Sequence, residues 1–120
     1  MYKRQINNSQ ATLSSPVEWE VAKVIVNANA QVTVSIWVYR DGTGVNGGLR
    51  VKPSAIEGVG SSNIDANITD TTINSWVQVS LTFTPTASGT VSIYAIGFIP
   101  SSGGSTSHNV WLDDFTVTQA

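Results

Sequence analysis

Apolar and polar residues alternate along most of this chain, and the alternation has the period of a β-strand. Over 31–40, Val32, Val34, Ile36 and Val38 fall on one side, and Thr33, Ser35, Trp37 and Tyr39 on the other. Such a period predicts a strand with one face on a core and the other free for solvent or ligand. The stretch 76–84 repeats it, with Val77, Val79, Leu81 and Phe83 opposite Gln78, Ser80, Thr82 and Thr84. Pro85 ends that strand, and Ser88-Gly89 predicts a turn. Strands follow over 90–98 and 110–118, and shorter ones are predicted over 49–51 and 64–68. The stretch 17–26 changes parity partway. Val17, Trp19 and Val21 are odd, whereas Val24 and Val26 are even. A bulge near Ala22-Lys23 would restore the facing.

Residue usage agrees with strands. Val and Thr abound, while Leu occurs only at 13, 49, 81 and 112, and no window carries a helical stripe. The loops over 41–48, 57–63 and 100–109 are rich in Gly, Ser and Asn. Short strands with frequent turns and no helix predict an all-β, antiparallel sandwich. The long loops, and the pairing of early with late segments, favour a jelly-roll. The 120 residues suit a single domain, expected over 17–120 behind an irregular lead over 6–16.

Charge narrows the function classes. Charged residues make up 12% of the chain and the net charge is −2, which supplies no basic patch for nucleic acid. With no cysteine, disulfides and thiol catalysis are excluded. No apolar run approaches the ~18 residues of a membrane-spanning helix.

Three patterns carry a chemical meaning. Gly42-Thr-Gly-Val-Asn-Gly47 matches a dinucleotide fingerprint, but that fingerprint needs a helix behind it. Leu49-Arg-Val-Lys-Pro53 follows instead, so a hairpin loop is expected. His108, the one histidine, sits in a Ser/Gly loop with no nucleophile motif nearby. The acids Glu18, Glu20, Asp41, Glu57, Asp65, Asp70, Asp113 and Asp114 show no catalytic motif. A non-enzyme is expected.

Three segments together carry a resemblance. Thr33-Val-Ser-Ile-Trp-Val-Tyr-Arg40 resembles the early strand of carbohydrate-binding-module-like (galactose-binding-like) jelly rolls. Trp76-Val-Gln-Val-Ser-Leu-Thr-Phe-Thr-Pro85, continued by Ser88 to Tyr94, is similar to a middle pair of strands there. Val110-Trp-Leu-Asp-Asp-Phe-Thr-Val117 is similar to the closing strand. The Asn/Ser/Thr-rich texture is most similar to versions in bacteriophage tail and surface proteins. The resemblance implies a carbohydrate- or receptor-binding accessory domain of a larger extracellular or virion-surface protein. Its partners would be a host-surface glycan and parent-protein domains upstream. The alternative is a structural virion or decoration module with no small ligand.

The resemblance also implies site residues. Such modules stack sugars on exposed aromatics. Trp37 and Tyr39 lie on the polar parity of their strand, and Tyr94 on the mixed parity of its own. If the two strands share a sheet, these residues form one platform, with Arg40 and Asp41 flanking the ligand. If Trp37 packs against the sandwich edge instead, the structural alternative gains. Trp19 and Trp76 are expected as core plugs. Asp113 shares parity with Trp111, Phe115 and Val117, and the resemblance implies that it helps hold a structural calcium ion. It could instead accept backbone N–H groups, or the register there could be bulged. Finally, Met1-Tyr-Lys-Arg-Gln5 resembles a translated sequencing adapter. Residues 1–5 are expected to be a scar, with the natural protein extending upstream.

Overall fold

In the computed structural model, residues 3–7, 17–52, 63–98 and 109–120 are described. The chain forms eight strands: β1 (Lys3–Asn7), β2 (Val17–Val26), β3 (Val32–Arg40), β4 (Asn46–Val51), β5 (Ile64–Asn67), β6 (Trp76–Phe83), β7 (Gly89–Phe98) and β8 (Asn109–Gln119). They make two four-stranded sheets, ordered β1-β8-β3-β6 and β2-β7-β4-β5. Every pairing is antiparallel. Consecutive strands mostly cross from one sheet to the other, which is jelly-roll topology.

The core lies where the inner faces meet. Val32, Val34, Ile36 and Val38 of β3 are fully buried, and Leu81, Phe83, Val110 and Leu112 join them from the same sheet. The second sheet contributes Val26, Leu49, Val51, Val91, Ile93 and Ala95. Burial at about 25 cal/mol per Å² of apolar surface is the main force holding such a sandwich closed.

The expected bulge in β2 is present. The register with β7 shifts between Glu20 and Ala22, so Trp19, Val24 and Val26 all reach the core. A second bulge lies in β8, where the register with β3 shifts between Ser35 and Trp37. Asp114 sits there at φ 55°. This overturns the expected facing of β8. Before the bulge Val110 and Leu112 face inward; after it Phe115 and Val117 do. Trp111 and Asp113 therefore share the outer face.

Two other expectations change. The glycine segment is not all loop, because Asn46–Val51 is paired to β7 and β4's Gly48 packs against β5. A Cβ at Gly48 would collide with the Ala66 carbonyl oxygen, so the glycine serves close strand approach. Lys3–Asn7, partly within the segment set aside as a scar, forms an edge strand on β8. The lead over 8–16, the 57–62 and 100–108 parts of the predicted loops, and His108 lie outside the described residues.

Candidate functional site

Cross-strand partners share a face of a sheet, so the register sorts the outer face of the first sheet into rows. One row is Trp111, Tyr39 and Trp76; the next is Asp113, Trp37 and Gln78. Then, past the bulge, comes Thr116, Ser35 and Ser80, with the two serine hydroxyls 2.7 Å apart. Aromatics and Asp113 thus gather at one end of a face whose other row members are Ser, Thr and Gln.

Packing holds this aromatic group in place. The Tyr39 ring stands 5.5 Å from Trp76, tilted at 58°, and 5.5 Å from Trp111 in an edge contact at 74°. Both are favourable quadrupole geometries, worth about 0.5–1.5 kcal/mol each beyond area burial. Tyr39 is half-buried between its neighbours. Trp37 and Trp76 keep 36% and 39% of their surface exposed. These two indoles, with Asp113 and Asp114, line a pocket of about 280 Å³.

The floor is unusual for a solvent face. Asp113 is only 5% exposed. Its Oδ1 accepts the Asp114 backbone N–H at 2.9 Å. The bulge explains this: Asp114 takes a left-handed turn that Asp tolerates, and its N–H swings back onto the preceding carboxylate. Among the described residues, no third His, Cys, Asp or Glu gathers here. Calcium takes six to eight oxygens, so the two carboxylates supply only the start of such a shell.

The remaining sequence-derived site residues lie elsewhere. Tyr94 belongs to β7 and hence to the other sheet, so it forms no platform with Trp37 and Tyr39. Its ring lies 4.6 Å beneath the Lys52 ammonium. That ammonium contacts Glu18 at 2.7 Å. Arg50 meets the same Glu18 at 2.8 Å and grips Asp65 with two 2.8 Å bonds. The network staples β2, β4 and β5 across the outer face. Burial alone would raise the Glu18 carboxyl pKa, but hydrogen bonds from Lys52 and Arg50 outweigh it and hold it below the usual range.

Arg40, expected at a rim, lies inside the sandwich. It is 3% exposed, and its guanidinium donates to the carbonyls of Thr72 (3.1 Å), Val45 (3.2 Å) and Asp70 (2.6 Å). Burial lowers its pKa, with Asp70 opposing, yet a guanidinium stays charged at accessible pH. The reason for its placement is parity, since Arg40 continues the inward row of Val32 to Val38. Asp41 fastens the start of β8 to the end of β3, its Oδ1 accepting the Asn109 N–H at 2.7 Å.

Sequence reasoning missed Trp76, Trp111 and Asp114. Trp19 packs on the core as expected, but Trp76 is no core plug. Its parity with Gln78, Ser80 and Thr82 was the available signal. A larger cleft of about 540 Å³ runs between β5 and β6, from Asp65 to Asp70 and from Val77 to Ser80. It has no aromatic wall and offers nothing to stack a ring on.

The fold is the jelly-roll β-sandwich shared with carbohydrate-binding modules. The chain is similar over 98% of its length to a structure titled "CBM4 structure and function", covering 82% of that chain at 16% identity and TM-score 0.58. It is likewise similar over 98% of its length to the C-terminal domain of EclA, a sugar-binding protein, covering 77% of that chain at 15% identity and TM-score 0.56. A third likeness, with TM-score 0.57 and 18% identity, is to the Clostridium thermocellum xylanase 10B CBM22-1–GH10 structure complexed with xylohexaose. It takes in 99% of this chain and 24% of that one. No protein-family model and no curated protein matches the sequence.

Proposed function

We propose that this chain is a non-catalytic carbohydrate-binding accessory domain, acting outside the cell or on a virion surface as part of a larger protein. The observation that carries the proposal is the pocket between Trp37 and Trp76 with Asp113 and Asp114 below. Ligand sites combine apolar walls with a few placed polar groups. A sugar has the matching anatomy, with an apolar C–H face for an indole and hydroxyls for carboxylate acceptors. The fold shared with sugar-binding modules supports the reading, although fold alone does not set function.

Indole fluorescence during titration with a panel of soluble glycans tests it. Trp37→Ala and Trp76→Ala should each weaken the responding glycan about tenfold or more, with Trp76→Ala also melting a few degrees lower because it loses the Tyr39 ring contact. A folded protein that responds to no glycan would instead favour the structural module. The calcium ion implied at Asp113 forms part of the proposal, and its test is separate. Chelator should lower the melting temperature if the ion contributes to folding; an unchanged value removes it.

A further inference from the structure

The two sheets end, among the described strands, in four edges: β1 and β6 on the first, β2 and β5 on the second. An edge strand offers unpaired N–H and C=O groups to any other strand, and natural proteins guard such edges with charge, shortness, proline or bulges. Three of these edges are guarded. β1 carries Lys3 and Arg4. β2 carries Glu18, Glu20 and Lys23, and its register shifts between Glu20 and Ala22. β5 is four residues long and includes Asp65. β6 has none of these devices. Its eight residues, Trp76–Phe83, include no charge and no proline, and its register with β3 runs unbroken. Among the described residues, β3 is the only strand with which it pairs. Its other side opens on the cleft of about 540 Å³, which Val77, Gln78, Val79 and Ser80 line in succession. Consecutive strand residues point to alternate faces, so what these four present together to one cleft is their backbone edge.

We infer that β6 is a self-association strand, which pairs antiparallel with β6 of a second copy of this chain about a twofold axis at Ser80. This stands apart from glycan binding. Any extended strand could satisfy the backbone of β6; what favours a second copy is the match of β6 to itself on both faces. A one-residue slip turns a whole strand over, so apolar residues meet apolar ones only if the axis passes through a residue. With the axis at Ser80, Val77 meets Phe83, Val79 meets Leu81, and Gln78 meets Thr82. The inward row continues as Val, Leu and Phe, the outward row is uncharged, and no like charges fall opposite each other. Trp76 stays outside the paired stretch. The acids beside the cleft are already balanced. Asp65 holds Arg50 at 2.8 Å, and Asp70 lies beside Arg40, whose guanidinium donates to its carbonyl at 2.6 Å. The product is a closed, isologous dimer. Its twofold axis stands normal to the sheet and leaves the aromatic groups of both copies on one side, so a polymeric ligand held by both would gain avidity.

Sedimentation velocity of the full chain over a concentration series tests this. A monomer–dimer equilibrium that stops at twice the mass of one chain is expected. Amide hydrogen exchange should slow along Val77–Phe83, and not along β2, as concentration rises. The variant Gln78→Lys/Thr82→Lys sets lysines opposite each other twice and should weaken the dimer about tenfold or more. Gln78→Glu/Thr82→Glu should do the same, and mixing the two variants should restore a heterodimer. Circular dichroism melts check that both fold; if either does not, the exchange measurement on the unaltered chain decides. A parent chain that stays monomeric up to about 1 mM would overturn the inference. So would a dimer that both charge variants retain, or exchange along β6 that ignores concentration. Growth into open-ended assemblies would overturn it too, because it would mean pairing through other edges.

Discussion

At the scale of single residues, Arg40 shows how one position is decided by parity and chemistry together. The alternation of β3 carries it inward, where a guanidinium survives only with its donors used. The carbonyls of Thr72, Val45 and Asp70 use them, and Asn74 N–H returns a bond to the Arg40 carbonyl at 2.8 Å. Arg40 is thus the pin of the segments on either side of β4 and β5. Replacing it with Ala strands the buried Val45 carbonyl at about 1–3 kcal/mol and removes bonds to the part-buried carbonyls of Thr72 and Asp70. A loss of about 3 kcal/mol, or roughly 10 °C in a thermal melt followed by circular dichroism, is expected. A melting point within a degree or two of the parent would refute this role. Gly48 makes a similar case by absence: the Cβ of Gly48→Ala would collide with backbone, which cannot give way as a side-chain tip would. This variant should cost about 1–3 kcal/mol in a urea titration.

At the scale of elements, two features set the outer faces. The first is the ion network on the second sheet. Glu18 titrates below its usual range in the fold, so the carboxylate contributes stability above its unfolded pKa near 4.5 and loses it as pH falls through the lower folded value. Lys52 is raised, first by its hydrogen bond to Glu18. Its share is present below its unfolded pKa near 10.5 and lost as pH rises through the higher folded value. Glu18→Gln should therefore lower stability between those limits, by about 1 kcal/mol at neutral pH, and flatten the acid limb of a pH–melting curve. A parallel downward shift at every pH would instead point to packing. The second feature is the β8 bulge. One inserted residue reverses the facing of everything beyond it, and so places Asp113 beside Trp37 on the outer face.

At the scale of the whole molecule, the topology brings distant parts of the chain together. The central strand β3 is flanked by β6 and by β8. The aromatic rows draw on residues 37–39, 76 and 111–113. No hairpin could assemble that surface alone. The core closes only when β8 inserts Val110 and Leu112. A chain ending at residue 108 should show no cooperative thermal transition; a sharp melt from it would mean that the sandwich closes without its last strand. Long-range pairing of this kind also predicts folding in milliseconds to seconds rather than microseconds.

What could be read from the chain alone was whatever depends on neighbours in sequence. Strand positions in β2, β3, β6, β7 and β8 follow from period two, because a side chain's facing is set by the pleat one residue at a time. The β2 bulge was legible too, since Trp19 and Val24 are apolar on opposite parities. The β8 bulge stood only as an alternative, because Trp111, Phe115 and Val117 form an unbroken apolar row that hides the slip. Which strands share a sheet was decided only in three dimensions. Pairing is a contest among distant segments settled by joint burial, and it separated Tyr94 from Trp37 while bringing Trp76 and Asp113 to it. The aromatics were therefore visible in the sequence as candidates, but only the tertiary structure chose which of them stand together.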